Sequence, residues 1–213
     1  MAALDIHSVL AALAAKRPLF HSEADFQFAF AWQIGALHEV EVRLETHPRP
    51  LVNLDVQLDW PDGTHTAIEL KYKTRLWVGD VAGEHFALKD QGANDIGGYD
   101  FLKDVERVEK FVDAAPGWDG FAVMITNLPT YWNPAVHGRE TNADGFRLHE
   151  GRTVGGELNW RRVGGTQAQR PKPIRLRDAY TLRWTGYSRV DSSLAGTFRA
   201  LVVPVSTGAR LPE

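Results

Sequence analysis

Residues 51–74 read Leu51-Val52-Asn53-Leu54-Asp55-Val56-Gln57-Leu58-Asp59-Trp60-Pro61-Asp62-Gly63-Thr64-His65-Thr66-Ala67-Ile68-Glu69-Leu70-Lys71-Tyr72-Lys73-Thr74. Alternation of apolar and polar residues over Leu51–Trp60 and again over His65–Thr74 predicts two strands joined by a tight turn. In the first, Asp55, Gln57 and Asp59 share one face and Leu54, Val56, Leu58 and Trp60 the other. In the second, Glu69, Lys71 and Lys73 share a face opposed by Ile68, Leu70 and Tyr72. Whether the two polar faces coincide depends on register. A two- or four-residue loop would set Asp55 against Leu70 and turn Glu69 away. A three-residue loop, Pro61-Asp62-Gly63, pairs Trp60 with Thr64 and sets Asp55 opposite Glu69. Such a loop is a type I turn followed by a left-handed residue, which favours proline first and glycine last. The sequence has both.

Two carboxylates facing each other repel unless a cation lies between them. A magnesium ion held by Asp55, Glu69 and the backbone carbonyl of Leu70 would relieve the repulsion with oxygen ligands of the kind it prefers, and manganese would substitute. Lys71, two residues beyond Glu69, reaches the same face and can stabilise negative charge building at a phosphorus under attack.

The flanking chain supplies a frame. Residues 5–16 read as a short helix. Ser22, with Asp25 at the capping-box position, opens a second helix to about His38, whose stripe Phe26, Phe30, Ile34 and Leu37 should face the core. Glu23 lies on that stripe in the first turn, and Gln27 follows one turn later. A further strand is expected over Glu39–Glu45 before the hairpin. After it come an irregular glycine-bearing segment, Gly79–Gly98, a helix over residues 99–114 with Phe101, Val105, Val108 and Val112 inward, and a buried strand Phe121–Thr126. On that helix Asp104 and Arg107 could reach a substrate, but an exposed intrahelical pair is the expected arrangement. Beyond Pro129 the signals weaken, with closing strands expected at Tyr180–Tyr187 and Phe198–Val205.

An acid early in a strand, a hairpin, then Glu-X-Lys with apolar flanks resembles the PD-(D/E)XK phosphodiesterases, the restriction-endonuclease-like fold. Here the motif is Leu54-Asp55 with Ile68-Glu69-Leu70-Lys71, and Leu54 stands where the family name has proline. The resemblance covers residues 20–126 in the order αβββαβ. It implies an α/β domain with a central mixed sheet flanked by helices, here with a β-rich C-terminal extension over about 129–206 in a single domain. It also implies metal-dependent hydrolysis of DNA phosphodiesters, as in restriction, repair or mobile-element defence. Asp55 and Glu69 would be metal ligands, Lys71 the electrostatic stabiliser, and Glu23 a second-metal or water-orienting ligand. The alternative is a catalytically silent member, binding nucleic acid or protein within a larger complex.

Composition sets outer limits. The chain has 213 residues, 44% apolar and 24% charged, a balance suited to one globular domain. It has no cysteine, which removes disulfides, thiol nucleophiles, iron–sulfur clusters and thiolate zinc sites. No apolar run approaches a membrane span and the first residues lack the basic start of a signal peptide, so a cytoplasmic protein is expected. The net charge of −3 is unevenly spread: residues 139–190 hold eleven basic and five acidic residues, net +6, leaving −9 for the remainder. Such asymmetry suits an acidic metal centre beside a phosphate-facing surface, or equally a solvated arginine-rich region. DNA is the expected partner, RNA is not excluded, and a homodimer or larger complex is compatible. Gln27, Lys73 and the Trp160-Arg161-Arg162 run are candidates for nucleic-acid contact, the indole by base stacking.

Overall fold

The computed structural model describes residues 4–49, 52–136, 139–162 and 170–207, so the first residue of the expected strand Leu51–Trp60 lies outside them. Helix α1 (Ile6–Ala14) starts at Asp5, whose carboxylate accepts the amides of His7 and Ser8 at 3.0 and 3.3 Å. Helix α2 (Glu23–Leu37) starts at Ser22, whose hydroxyl accepts the Asp25 amide at 3.1 Å. Asp25 does not return the bond to Ser22; it accepts the His21 amide and both hydrogen bonds from the Arg17 guanidinium instead. Phe26, Phe30 and Ile34 are buried as the stripe requires, but Leu37 is half-exposed, because the helix ends there at the C-cap His38. Phe28 and Trp32 stand out into solvent on the far side of α2.

Three strands follow, β1 (Glu41–Arg49), β2 (Val52–Asp59) and β3 (His65–Lys73). The segment expected to be irregular instead forms a hairpin, β4 (Trp77–Val81) and β5 (Glu84–Leu88), before α3 (Asn94–Ala114), which begins five residues earlier than its apolar stripe suggests. Ala82 and Gly83 join β4 to β5, both with positive φ (51° and 83°). Two positive φ angles are what a tight hairpin turn needs, but alanine gives no sequence signal for one. Strand β6 (Trp118–Thr126), the short helix α4 (Pro129–Trp132), a 3-10 turn at Asp144–Phe146 and strands β7 (Thr153–Leu158), β8 (Ile174–Thr181), β9 (Trp184–Arg189) and β10 (Thr197–Val205) follow among the described residues.

The central sheet is mixed and six-stranded, in the order β1-β2-β3-β6-β10-β9. Its single parallel pair is β3–β6, joined through α3, and the other neighbours are antiparallel. Two of the C-terminal strands therefore extend the main sheet beyond β6. The expected strand Tyr180–Tyr187 is broken at Leu182-Arg183, where the chain leaves the separate β7–β8 pair and enters β9.

Cores form on both faces. Phe26, Phe30 and Ile34 of α2 pack on Val56, Leu58, Ile68 and Leu70. Val105, Val108 and Val112 of α3 pack on Ala67, Ala122 and Met124, with Ile174 and Leu176 of β8 joining that cluster. Each large apolar side chain removed from water stabilises the fold by about 1.5–3 kcal/mol, so the two helices fix the middle of the sheet firmly. The C-terminal end of β3, between them, is the part left for charged residues.

Candidate functional site

The β2–β3 hairpin has the register that its loop chemistry requires. Asp59 pairs with His65, Leu58 with Thr66, Gln57 with Ala67 and Val56 with Ile68, while the Trp60 amide donates to the Thr64 carbonyl at 3.0 Å. Gly63 has φ 81° and its amide closes the turn on the Trp60 carbonyl at 2.9 Å. Asp55 and Glu69 are the next positions in this register.

At those positions the strands part. In a continuing ladder the amides of Leu70 and Tyr72 would donate to β2 carbonyls. Instead the Leu70 amide donates to Asp55 Oδ2 at 2.7 Å and the Tyr72 amide to Glu23 Oε2 at 2.8 Å. Two carboxylates, one from β2 and one from the first turn of α2, thus cap the bare edge of β3. An extended residue points its amide and carbonyl to the same edge, so the Leu70 carbonyl is directed to the Asp55 side. Glu23, Asp55, Glu69 and Lys71, separated by up to 48 positions in sequence, are brought together in this notch.

Glu69 is 2% exposed. Its Oε2 accepts a hydrogen bond from Arg107 of α3 at 2.7 Å, while its Oε1 is buried with no hydrogen-bond partner among the described residues. Lys71 Nζ lies 3.2 Å from Asp104 Oδ2 and 3.7 Å from Glu23 Oε1. Arg107 also approaches Asp104 at 3.5 Å. The expectation of an exposed Asp104–Arg107 pair is therefore corrected: Asp104 is buried at 4% exposure, and both side chains serve β3. Spacing alone carried that signal. Position 104 follows Phe101 by three and precedes Val108 by four, which sets it on the inward stripe of α3.

The notch gathers four carboxylates against two cations. Burial raises the Asp55 carboxyl above its usual range, only partly offset by the Leu70 amide and Lys71. Burial, then Asp104 and Asp55, raise Glu69 strongly, with Arg107 working against the rise. Burial also raises Asp104, against the pull of Lys71 and Arg107. Burial would depress Lys71, but Asp104 and Glu23 outweigh it and hold the ammonium charged. Negative charge therefore exceeds what the protein neutralises here. Among the described residues, no three histidine or acidic side chains already form a group able to hold a metal ion. The donor chemistry nevertheless suits a hard divalent cation, with all-oxygen ligands and a buried Glu69 Oε1 that has no hydrogen-bond partner among the described residues.

The remaining candidates stand apart from this network. Gln27 is half-buried on α2 and Lys73 half-buried at the end of β3. Trp160 is not free to stack on a base: it packs on Tyr99 and Phe146 and donates its indole N–H to the Arg170 carbonyl at 3.0 Å. Arg161 is paired with Glu140 and lies 3.5 Å from Asp144. Arg162 is exposed, beside a polar cavity of about 430 Å³ lined by Glu140, Thr141, Asn142, Arg161 and Arg162. Much of the basic C-terminal region is engaged internally: Arg147 with Asp144, Arg170 with Asp100, Arg175 with Glu157, and Arg177 with Asp113 and Asp178. Two of these pairs, Arg170–Asp100 and Arg177–Asp113, reach acids outside residues 139–190 and so offset part of that segment's net positive charge. No helix among the described residues is long and apolar enough to cross a membrane.

Compared with family models, with curated proteins and with solved structures, the chain matches none of them.

Proposed function

We propose that this protein is a metal-dependent nuclease of the restriction-endonuclease-like fold that hydrolyses DNA phosphodiester bonds. The observation that carries the reading is the notch itself, where β2 and β3 part and Glu23, Asp55, Glu69 and Lys71 meet with Glu69 Oε1 left unpartnered. An acidic cluster with no ligand to bind is costly, since each buried carboxylate without a partner loses hydration it cannot replace.

Asp55, Glu69 and the Leu70 carbonyl, with Glu23 beside them, would hold magnesium or manganese. Once bound, that ion supplies concentrated positive charge to a phosphodiester. The chain's own residues do the rest. Lys71 is held ionised by Asp104 and Glu23 and presents its charge where negative charge builds on the phosphoryl oxygens, an interaction strongest in the transition state. Glu23 is anchored through Oε2 on the Tyr72 amide, with Oε1 3.7 Å from Lys71 Nζ, and from there would orient a water or a second cation.

A second reading draws on one feature, the Arg107 guanidinium already seated on Glu69. In it the charges are satisfied internally and the same fold serves as a silent nucleic-acid or protein-binding module. One experiment separates the two: purified protein incubated with plasmid, single-stranded DNA and RNA, each with Mg²⁺, Mn²⁺ or chelator. Cleavage with metal and none with chelator supports the nuclease. No cleavage of any of the three with either metal supports the silent module.

A further inference from the structure

Residues Asp104 and Arg107 form a second row behind the notch, contributed by α3 across a sequence gap of more than thirty positions. Neither belongs to the Glu69-Leu70-Lys71 run or to its partner acids. Arg107 Nη1 donates to Glu69 Oε2 at 2.7 Å and comes within 3.5 Å of Asp104 Oδ1. Asp104 Oδ2 lies 3.2 Å from Lys71 Nζ. The chain of contacts therefore runs Glu69–Arg107–Asp104–Lys71, linking the acid and the base of the motif through two helix residues one turn apart. The geometry is selective. Arg107 occupies one oxygen of Glu69 and leaves Oε1, on a nearly fully buried side chain, with no hydrogen-bond partner among the described residues.

A purely stabilising ion pair gains most when both oxygens are satisfied, and guanidinium is built to grip both at once. Single-oxygen contact instead fixes the rotamer and leaves the second oxygen for another ligand. Partners placed this way around a metal-ligating carboxylate orient the ligand and are typically worth about 10- to 100-fold in metal affinity.

We propose that Arg107 is a positioning residue that holds Glu69 so that its free oxygen can bind a divalent cation, with Asp104 tying Arg107 to Lys71. The inference rests on the metal-dependent reading above. It assigns Arg107 no direct contact with substrate.

The test is a Mn²⁺ binding titration, followed by the loss of the free-ion electron paramagnetic resonance signal, on wild type, Arg107→Gln and Arg107→Lys. A thermal melt of each protein in chelator accompanies it. Arg107 is only partly buried, so both variants should fold. Arg107→Gln should bind Mn²⁺ about 10- to 100-fold more weakly, and Arg107→Lys should recover part of the loss because it keeps the charge. A role limited to stability would lower the melting temperature and leave affinity unchanged. Unchanged or tighter Mn²⁺ binding by folded Arg107→Gln overturns the inference while leaving the metal site standing. Wild type that binds no Mn²⁺ overturns the metal-dependent reading itself, and this inference with it.

Discussion

Asp55 Oδ2 accepts a hydrogen bond from the Leu70 amide at 2.7 Å, at the first position where β2 stops pairing with β3. A side chain here does the work of a strand carbonyl. The contact both finishes the edge of β3 and fixes the carboxylate beside Glu69, so changes at Asp55 affect stability and metal binding in different ways.

Asp55→Asn keeps an acceptor for the Leu70 amide and removes one of the crowded negative charges. The metal-free variant should therefore melt at or above the wild-type temperature. Millimolar Mg²⁺ or Mn²⁺ should raise the wild-type melting temperature by mass action on the folded state, and most of that rise should vanish in Asp55→Asn. Asp55→Ala, which strands the amide, should lose about 1–3 kcal/mol. Differential scanning fluorimetry with and without metal measures all three. An equal metal response in wild type and Asp55→Asn would remove Asp55 from the ligand set.

Lys71 separates chemistry from binding. Lys71→Met keeps the aliphatic stem and deletes the charge, so single-turnover cleavage should slow by about 10²–10³-fold. DNA affinity should fall far less, since one phosphate contact is a small part of the salt-dependent total. Cleavage at the wild-type rate would show that the activity does not depend on Glu69-Leu70-Lys71. Arg162, exposed beside the polar cavity, is a better test of nucleic-acid binding than Arg161, which is already paired with Glu140. Arg162→Ala should weaken binding and lower its salt dependence with little change in rate at saturating DNA.

The pH dependence of the metal-free protein should report the crowding of acids. Burial, with Asp104 and Asp55, pushes the Glu69 carboxyl from 4.5 up to about 9, and burial takes Asp104 from 3.8 to about 6. Over those windows the folded state keeps protons that the unfolded chain has released. Stability should therefore be greatest at the acid end and fall as pH rises towards about 9, by at most about 1.4 kcal/mol per pH unit for each group. Glu69→Gln cannot titrate, so its melting temperature in chelator should be flatter above about pH 6. The same slope in Glu69→Gln and wild type would show that Glu69 is not the group responsible.

Gly63, at φ 81° with no atom near the position of an added Cβ, carries only a backbone requirement. Gly63→Ala should cost about 1–2 kcal/mol through left-handed strain alone. Inserting one residue after Asp62 should do more, because a one-residue slip moves Asp55 to the other face from Glu69. Urea unfolding measures the first change. Loss of metal-induced stabilisation in a folded insertion variant measures the second.

Short-range chemistry made part of this protein legible in its sequence. The Ser22 cap, the Pro61-Asp62-Gly63 turn and the two-residue alternation of β2 and β3 are set by backbone stereochemistry within a few residues. Together they determined that Glu23 begins a helix and set the hairpin register in which Asp55 and Glu69 are the next positions beyond Val56 and Ile68. The apolar stripes of α2 and α3 likewise identified the side chains by which these helices pack on the sheet, Leu37 excepted. Tertiary structure alone decided the rest. Where β2 and β3 part, the Tyr72 amide is taken by Glu23 of another element, 49 positions away in sequence. Arg107 meets Glu69 across 38 positions. Two arginines of the C-terminal region found acids as distant as Asp100 and Asp113, so net charge by sequence segment overstated the free basic surface in part. Long-range pairings follow from packing whole elements against one another, and no local period or turn signature encodes them.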